Sequence, residues 1–120
     1  MVKIYGYNKC STCQKALKFL NAKGVEFINI PIVEQPPSKA EIRQMLTYLK
    51  VRGETFKNLF NTSGVQYREL GIGQKIKEGM TESQAIDLLS GNGKLIKRPF
   101  LLTEHNGRVG FKPDEWRKLI

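Results

Sequence analysis

Cys10 and Cys13 are the only cysteines in the chain, and two residues separate them. A C-x-x-C pair beside a strand-to-helix pattern is typical of thiol–disulfide redox chemistry in a cytosolic protein. The N-terminus of a helix, helped here by the neighbouring Lys9, stabilises a thiolate through unpaired N–H groups and a partial positive charge. We therefore expect Cys10 to be an exposed, activated nucleophile. We expect Cys13, one helical turn later, to be the resolving thiol that forms a Cys10–Cys13 disulfide.

Two other interpretations of the cysteine pair need no redox chemistry. A structural zinc site needs four ligands, and this chain adds only one histidine, His105, so a carboxylate would have to complete the set. Two inert, buried thiols are the other interpretation, although the flanking segment, N-K-C-S-T-C-Q-K, is polar. We expect no metal, and we expect His105 to cap a hairpin loop without a catalytic part.

A second candidate group precedes a predicted strand and consists of Lys97, Arg98 and Pro99. An X-Pro bond at the entrance of a strand can be cis. Arg98 would then project toward the cleft at the strand end, as a bidentate donor to an oxyanion. A solvated basic loop with a trans proline explains the same three residues equally well.

The charge of the chain is strongly positive, at +9 from 20 Lys and Arg against 11 Asp and Glu. Residues 1–25 contain lysines and no acid. Such a surplus suits nucleic acid, acidic proteins or small anions, and it also serves solubility. The basic residues are not confined to one helix and no recognition motif is present, so we expect no direct DNA binding.

Length and composition indicate one folded domain. The chain has 120 residues, of which 40% are hydrophobic and 26% charged, as in ordinary globular proteins. No apolar run is long enough to cross a bilayer, and no signal-peptide core follows the first residues. We expect a soluble, cytoplasmic protein with no membrane contact. Because no long apolar stripe is left unassigned, we also expect a monomer.

The elements that position the cysteines follow from periodicity and capping signals. A strand at 2–6 leads into a helix from Ser11, which Gly24 ends in a left-handed cap. A second strand covers 25–30. Capping boxes begin two further helices, one after Ser38 and one after Thr81. The remaining signals are a short helix around 56–60, strands at 100–103 and 108–111, and a last helix from Pro113.

Between the last two strands, Asn106-Gly107 predicts a tight hairpin in which both residues take a positive φ. The first two strands, joined by a crossover helix, should be parallel, and the last two antiparallel. This order predicts an α/β, thioredoxin-like fold with a mixed sheet and an inserted helical segment. We assign residues 1–120 to one domain, with a core of 1–34 and 92–120 and a helical insertion at 35–91. Reaction sites in open α/β sheets lie at the carboxyl ends of strands, where Cys10 falls.

Five segments, taken together and in order, carry a resemblance to a known family. They are I-Y-G-Y-N-K-C-S-T-C, P-P-S-K-A-E-I, L-F-N-T-S-G-V-Q-Y-R-E-L-G-I, L-I-K-R-P-F-L-L and G-F-K-P-D-E-W. The chain resembles, over essentially its whole length, the glutaredoxin-type arsenate reductases, a family that also includes the Spx-type transcription regulators. The resemblance implies a thioredoxin-like fold with an inserted helical segment.

The resemblance also implies a set of site residues. Cys10 occupies the position of the cysteine that attacks arsenic in arsenate-reducing members. Three arginines hold the anion in those members. Arg98 matches one of them, in an R-P pair whose proline, here Pro99, is implied to be cis. Lys112 occupies the second arginine position, where it keeps the charge but loses the planar fork. The third falls at the uncharged Asn61.

Two functions are therefore expected. The favoured one is a thiol-disulfide oxidoreductase that acts on an oxyanion or a glutathione mixed disulfide. It has no bound cofactor, and glutathione or another thiol reductant is its co-substrate, with glutaredoxin or the thioredoxin system as partner. The alternative is an Spx-type redox-sensing regulator that binds the RNA polymerase alpha subunit. Gly53 would then lie near the polymerase contact, although it could equally serve only to end a helix.

Overall fold

A computed structural model describes residues 2–120 as one four-stranded sheet with helices on both faces. In the strand order β2-β1-β3-β4, β1 and β2 are parallel, and β3 is antiparallel to both β1 and β4. The predicted α/β class with its mixed, thioredoxin-like sheet is therefore confirmed. The strands are β1 (Val2–Gly6), β2 (Phe27–Pro31), β3 (Phe100–Leu102) and β4 (Gly107–Val109).

The helices fall into three groups along the chain. One connects β1 to β2, a block of four lies between β2 and β3, and one follows β4. Short 3₁₀ turns at Phe56–Leu59 and Gly93–Leu95 flank the block's later helices. The α-helices are α1 (Ser11–Ala22), α2 (Lys39–Val51), α3 (Val65–Glu69), α4 (Ile72–Lys77), α5 (Glu82–Gly91) and α6 (Pro113–Leu119). None of the helices formed by the described residues has the length and apolar character needed to span a membrane.

Local hydrogen bonds fix where the longer helices begin. The Ser38 hydroxyl accepts from the Glu41 N–H at 3.1 Å, and the Thr81 hydroxyl accepts from the Gln84 N–H at 3.1 Å. Both capping boxes are complete, as predicted. Gly24 has a φ of 69°, which confirms the left-handed position at the end of α1.

The two faces of the sheet bury separate cores because neighbouring strand residues point in opposite directions. Ile4 packs with α1 and α6, in a cluster that includes Leu20 and Trp116. Tyr5 faces the other side, where the block of helices between β2 and β3 covers the sheet. Met45, in the core under the helical block, and Trp116, in the core under α1 and α6, are both fully buried.

The hairpin forms, but the prediction that Asn106 and Gly107 take positive φ is wrong. Neither residue has a positive φ, and the loop spans 103–106, with Gly107 paired to Leu102 as the first residue of β4. A Cβ on Gly107 would lie 3.0 Å from Met45 Sδ and 3.0 Å from Tyr48 Cδ2 on α2. Close packing against the α2 side chains, rather than the turn, therefore favours glycine here.

Other elements also differ from the predictions: β3 ends at Leu102 rather than at residue 103, and β4 covers Gly107–Val109 rather than 108–111. β2 begins at Phe27 rather than at residue 25, because the Val25 N–H donates to the Leu20 carbonyl and belongs to the turn that ends α1. Helices α3 and α4 were not predicted individually. They are short and mostly exposed, and Gly71, with a φ of 62°, separates them, so no long periodic pattern marks them.

The two ends of the helical block touch each other beside the sheet. A Cβ placed on Gly93 would lie 1.9 Å from the Ile32 carbonyl oxygen and 3.2 Å from Val33 Cα. Residue 93 therefore has no room for a side chain, and the chain returns to the sheet directly against the residues from which it left.

Candidate functional site

Cys10 lies in the turn that joins β1 to α1, at the N-cap of the helix. Its N–H donates to the Tyr7 carbonyl at 3.0 Å, and its Sγ accepts from the Cys13 N–H at 3.3 Å. The residue is half-buried, and its backbone is extended rather than helical. The first free N–H groups of α1 therefore face a sulfur, a position that favours negative charge.

Arg98 brings a guanidinium to the same end of the sheet. The Arg98–Pro99 peptide bond is cis. The Arg98 Cζ lies 4.9 Å from the centre of the Tyr7 ring, a cation–π contact that holds the side chain. Among residues 2–120, Arg98 Nη1 is buried and has no hydrogen-bond partner. Arg52 Nε and Arg108 Nε share this property, but those two guanidinium groups form ion pairs with Glu54 and Glu115, and Arg98 forms none within these residues.

Asn61 is held beside Arg98 by backbone pairing. The Asn61 N–H donates to the Leu95 carbonyl, and the Lys97 N–H donates to the Leu59 carbonyl, each at 2.8 Å. This short antiparallel contact brings the segment at 59–61 alongside the residues that lead into β3. The Asn61 side-chain oxygen accepts from the Ser63 hydroxyl at 3.4 Å, so its amide forms part of a small polar wall.

Lys112 and Lys97 come from the other side of the cleft. After β4 the Gly110 N–H donates to the Pro99 carbonyl at 2.9 Å, and Gly110 has a φ of 76°. A Cβ on Gly110 would lie 3.1 Å from Lys97 Cε, so the Lys97 side chain passes directly over this glycine. Lys112 follows as the exposed N-cap residue of α6.

These groups line one open cleft of about 710 Å³ at the carboxyl end of β1. Four cations and no acid line it, and none of the four forms an ion pair with any residue in 2–120. The cleft therefore places a cysteine at a helix N-terminus among unpaired positive charges, which suits an anionic substrate. Its functional groups include Lys9, Cys10, Asn61, Lys97, Arg98 and Lys112.

Cys13 differs from Cys10 in its surroundings. It is only 2% exposed, and it lines a separate cavity of about 240 Å³ that Cys10 does not line. Burial raises the pKa of the Cys13 thiol, and its hydrogen bond with Cys10 raises it further. Cys13 is therefore a neutral thiol at physiological pH, and Cys10 is the sulfur that faces the cationic cleft.

Gly53 and His105, which were considered in the sequence analysis, lie outside the cleft, and so does Arg68. Gly53 ends α2 with a φ of 81° and is exposed, and Arg68 on α3 is not among the lining residues. His105 lies in the loop after Leu102, which pairs with Lys3 at the start of β1, whereas Cys10 follows the end of β1. His105 and the cysteines are thus at opposite ends of the sheet, and a zinc site that joins them is ruled out.

Tyr7 is a site residue that the sequence did not single out. Its carbonyl accepts from Cys10, its backbone hydrogen-bonds Cys13, and its ring supports Arg98. An aromatic residue directly after β1 was the only available signal. Within residues 2–120 no cluster of three or more His, Cys, Asp or Glu side chains is placed to hold a metal ion.

The ArsC family matches residues 5–119 of the chain. The chain belongs to the ArsC family. The Bacillus subtilis protein YusI is 44% identical over 114 residues, which cover 95% of this chain and 93% of YusI. The chain is also similar to a transcriptional regulator. The global transcriptional regulator Spx of Streptococcus mutans is 28% identical, and the match covers 100% of this chain and 83% of Spx.

Solved structures show the same ArsC-family fold. An ArsC family related protein from Bacteroides fragilis superposes with a TM-score of 0.90 at 44% identity, covering 99% of this chain and 97% of that one. A structure described as a possible arsenate reductase from Streptococcus mutans gives a TM-score of 0.82 at 36% identity, over 93% and 92% of the two chains. The fold of this chain is therefore that of the arsenate reductase-like proteins.

Proposed function

We propose that this ArsC-family protein is a thiol-disulfide oxidoreductase with Cys10 as its nucleophile and Cys13 as its resolving thiol. The observation that carries the proposal is the cleft itself, where a cysteine at the N-cap of α1 meets four unpaired cations. The proposed setting is the reducing cytoplasm, and the protein acts there as a monomer. It needs no bound cofactor, because thiols carry the electrons.

The first step is attack on an oxidised substrate in the cleft. The Cys10 thiolate attacks the glutathione sulfur of a mixed disulfide, forming a Cys10–glutathione bond and expelling the other thiol. With an oxyanion such as arsenate, Cys10 instead displaces a hydroxyl group from the central atom. Arg98 Nη1, the buried donor without a partner, would bind the anionic group, and Lys112, Lys9 and Asn61 would complete its surroundings.

In the second step, Cys13 releases the product from Cys10. After losing its proton, Cys13 attacks Cys10 Sγ, which forms the Cys10–Cys13 disulfide and releases glutathione, or the reduced oxyanion, with two electrons transferred. Because Cys13 is buried and protonated in the resting state, it does not compete with Cys10 for substrate. Two molecules of glutathione, or a glutaredoxin or thioredoxin, then reduce the disulfide.

Turnover of the purified protein tests this proposal, with glutathione and glutaredoxin as reductants. Arsenate and a cysteine–glutathione mixed disulfide serve as alternative oxidants. Cys10→Ser should abolish turnover of whichever substrate is used. With the mixed disulfide as oxidant and no reductant added, Cys13→Ser should still react once and retain glutathione on Cys10, seen as an added mass of one glutathione. A wild-type protein inactive with both oxidants, or a Cys10→Ser variant as active as the wild type, would reject the enzyme.

A redox-sensing regulator of the Spx type is the second candidate. The observation in its favour is an exposed patch at the end of α2, where Val51 is 83% exposed and the neighbouring Gly53 has nothing within 4 Å of an added Cβ. We propose that such a regulator would bind the RNA polymerase alpha subunit there. Retention of purified alpha subunit on the immobilised protein, lost in Val51→Asp and altered by diamide oxidation, would support it. Absence of binding in both redox states would reject it.

A further inference from the structure

The cationic cleft also has an apolar part, to which the reaction described above assigns no role. Val65, Val109 and Phe111 line the cleft together with Cys10 and the four cations, and these three residues are here called the apolar rim. Val65 is the most exposed of them, with 57% of its surface open to solvent. An inorganic oxyanion such as arsenate carries no apolar group, so it would leave the apolar rim without a contact.

Val65 lies where the local structure gives no reason for an apolar side chain. It is the first residue of α3, directly after the N-cap residue Gly64. The first turn of a helix favours acidic residues, and the β-branched valine is a weaker helix former than alanine or leucine. Helix α3 has no buried residue, so Val65 does not anchor the helix in a core. Contact with a ligand explains an exposed apolar residue that is locally unfavourable and lines a site.

The other two residues of the apolar rim are held in place by packing behind them. The Phe111 ring makes edge contacts with Trp116 and Phe19, at centroid distances of 4.9 and 5.5 Å. Val109 is half-buried and packs against the core under the helical block. Because these contacts already fix both side chains, binding of an apolar group beside them would cost little ordering of the protein.

Cations and apolar groups are interleaved along the segment that follows β4. Lys97 passes over Gly110, and Lys112 directly follows Phe111 in the chain. The cleft volume of about 710 Å³ also lies within the range of sites that hold organic ligands of moderate size. The cleft therefore has room for one ligand with a charged half and an apolar half.

We propose that the substrate of this cleft is a mixed disulfide of glutathione and a small organic thiol with an alkyl or aryl group, and that Val65 determines specificity for that group. The inference rests on the proposed function and narrows its substrate to one class. The two carboxylates of the glutathione half suit the cations, and the apolar half suits the apolar rim. The cleft should therefore prefer such a disulfide to an inorganic oxyanion.

The apolar thiol leaves in the first step of the reaction. The Cys10 thiolate attacks the glutathione sulfur, the bond between the two substrate sulfurs breaks, and its electron pair leaves on the sulfur of the apolar thiol. That thiolate takes a proton from solvent, and glutathione stays on Cys10 until Cys13 displaces it. Contact between the apolar rim and the leaving thiol thus acts on kcat/KM, which compares the transition state with free enzyme and free substrate.

A series of alkyl glutathione disulfides tests the proposal. The ethyl, butyl and hexyl members have the same charge and release thiols of nearly equal pKa, so only the apolar surface of the leaving thiol changes. With glutathione and glutathione reductase as the reducing system, oxidation of NADPH measures kcat/KM, and the rate without protein is subtracted. We expect kcat/KM to rise about twofold per methylene group, or roughly 16-fold from ethyl to hexyl, since an open wall buries part of each group.

Two exposed apolar residues of α3 and its end provide a test variant and a matched control. Val65 lines the cleft, whereas Leu70, which is 44% exposed at the C-cap of α3, does not. Val65→Ser should lower the hexyl-to-ethyl ratio of kcat/KM to about threefold, and Val65→Leu should keep it, because leucine restores the apolar surface. Leu70→Ser should leave the ratio unchanged. A partly unfolded variant gives the same ratio, because both substrates are measured on one sample.

The outcomes separate this inference from the proposed function. Equal kcat/KM for the three disulfides, or a wild-type ratio in Val65→Ser, would overturn the inference alone, since turnover itself supports an oxidoreductase. A kcat/KM for arsenate above that for the hexyl disulfide would also overturn it alone. No turnover of any disulfide or of arsenate would instead reject the proposed function.

Discussion

The Cys10 cleft and the surroundings of Glu41 differ in whether their charged groups have hydrogen-bond partners. Glu41 accepts from the Tyr5 hydroxyl at 2.8 Å and from the Ser38 N–H at 3.1 Å, and its second oxygen accepts from Lys3 at 3.3 Å. In the cleft, by contrast, Arg98 has a buried donor that no group in residues 2–120 accepts from. Charge is therefore satisfied where α2 is fastened to β1, and it is left unsatisfied where a ligand would supply the missing partner.

The largest expected effect comes from removing the unsatisfied charge. Arg98→Ala should raise KM for an anionic substrate about 10- to 100-fold, the loss expected when one or two charge-assisted hydrogen bonds disappear. The KM of Arg98→Lys should lie between those of the wild type and Arg98→Ala, because lysine keeps the charge but not the planar fork. Steady-state kinetics measure the effect, and thermal unfolding checks that both variants fold. An unchanged KM in Arg98→Ala would show that the cleft does not bind its substrate through this group.

The next largest effect is expected at Glu41, whose charge is paired, and it should appear in the free energy of unfolding. Glu41→Gln should lower the free energy of unfolding at pH 7 by about 1–2 kcal/mol, because hydrogen bonds to a carboxylate become bonds to a neutral amide. Burial alone would raise the pKa of Glu41, but the hydrogen bonds from Tyr5, Ser38 and Lys3 outweigh it and lower the pKa. Urea denaturation of the two proteins measures the difference.

The stability difference between the wild type and Glu41→Gln should depend on pH, in a direction set by the lowered pKa of Glu41. A carboxyl group whose pKa is lowered by folding stabilises the protein above its unfolded pKa, and the contribution is lost as pH falls through the folded value. The gap between wild type and Glu41→Gln should therefore shrink below the usual glutamate pKa of about 4.3. Asp87→Asn is the control, since the Lys39–Asp87 pair is exposed and should contribute less than about 0.5 kcal/mol. A gap that is constant with pH would contradict the role of the charge.

The smallest expected effect is on KM and comes from Tyr7, which supports Arg98 in the cleft. Tyr7→Leu removes the ring that lies 4.9 Å from Arg98 Cζ and should raise KM about two- to fivefold, as the loss of one cation–π contact implies. Tyr7→Phe keeps the ring and should behave like the wild type. If Tyr7→Phe were as impaired as Tyr7→Leu, the hydroxyl group rather than the ring would position Arg98.

Features that depend on neighbours in the chain were predictable from the sequence. The capping boxes at Ser38 and Thr81 and the end of α1 at Gly24 are fixed by hydrogen bonds or dihedral angles within a few residues. The placement of Cys10 after β1 belongs to the same class. Local signals, together with a resemblance spread over the whole chain, therefore yielded the fold class and the position of the thiols.

Features that depend on distant contacts were not predictable. Gly107 looked like a turn residue, but its packing against Met45 and Tyr48, far earlier in the chain, explains it. The pairing of 59–61 with 95–97 sets Asn61 beside Arg98, and no local pattern signals it. The cavity of about 240 Å³ beside Cys13 is likewise lined by residues of β1, α1 and β2 together. Tertiary contacts of this kind determine how the site is enclosed, whereas local sequence determines what chemistry it contains.

The contact between Gly93 and the Ile32 carbonyl has a consequence for how such chains can vary. Because the helical block departs from the sheet and rejoins it at one point, the number of residues between these two ends is not fixed by the distance between them. A relative could gain or lose a helix there without shifting the register of β1 against β3. Swapping this module between ArsC-family members would exchange one wall of the cleft, including position 61, while the cysteine turn stays in place.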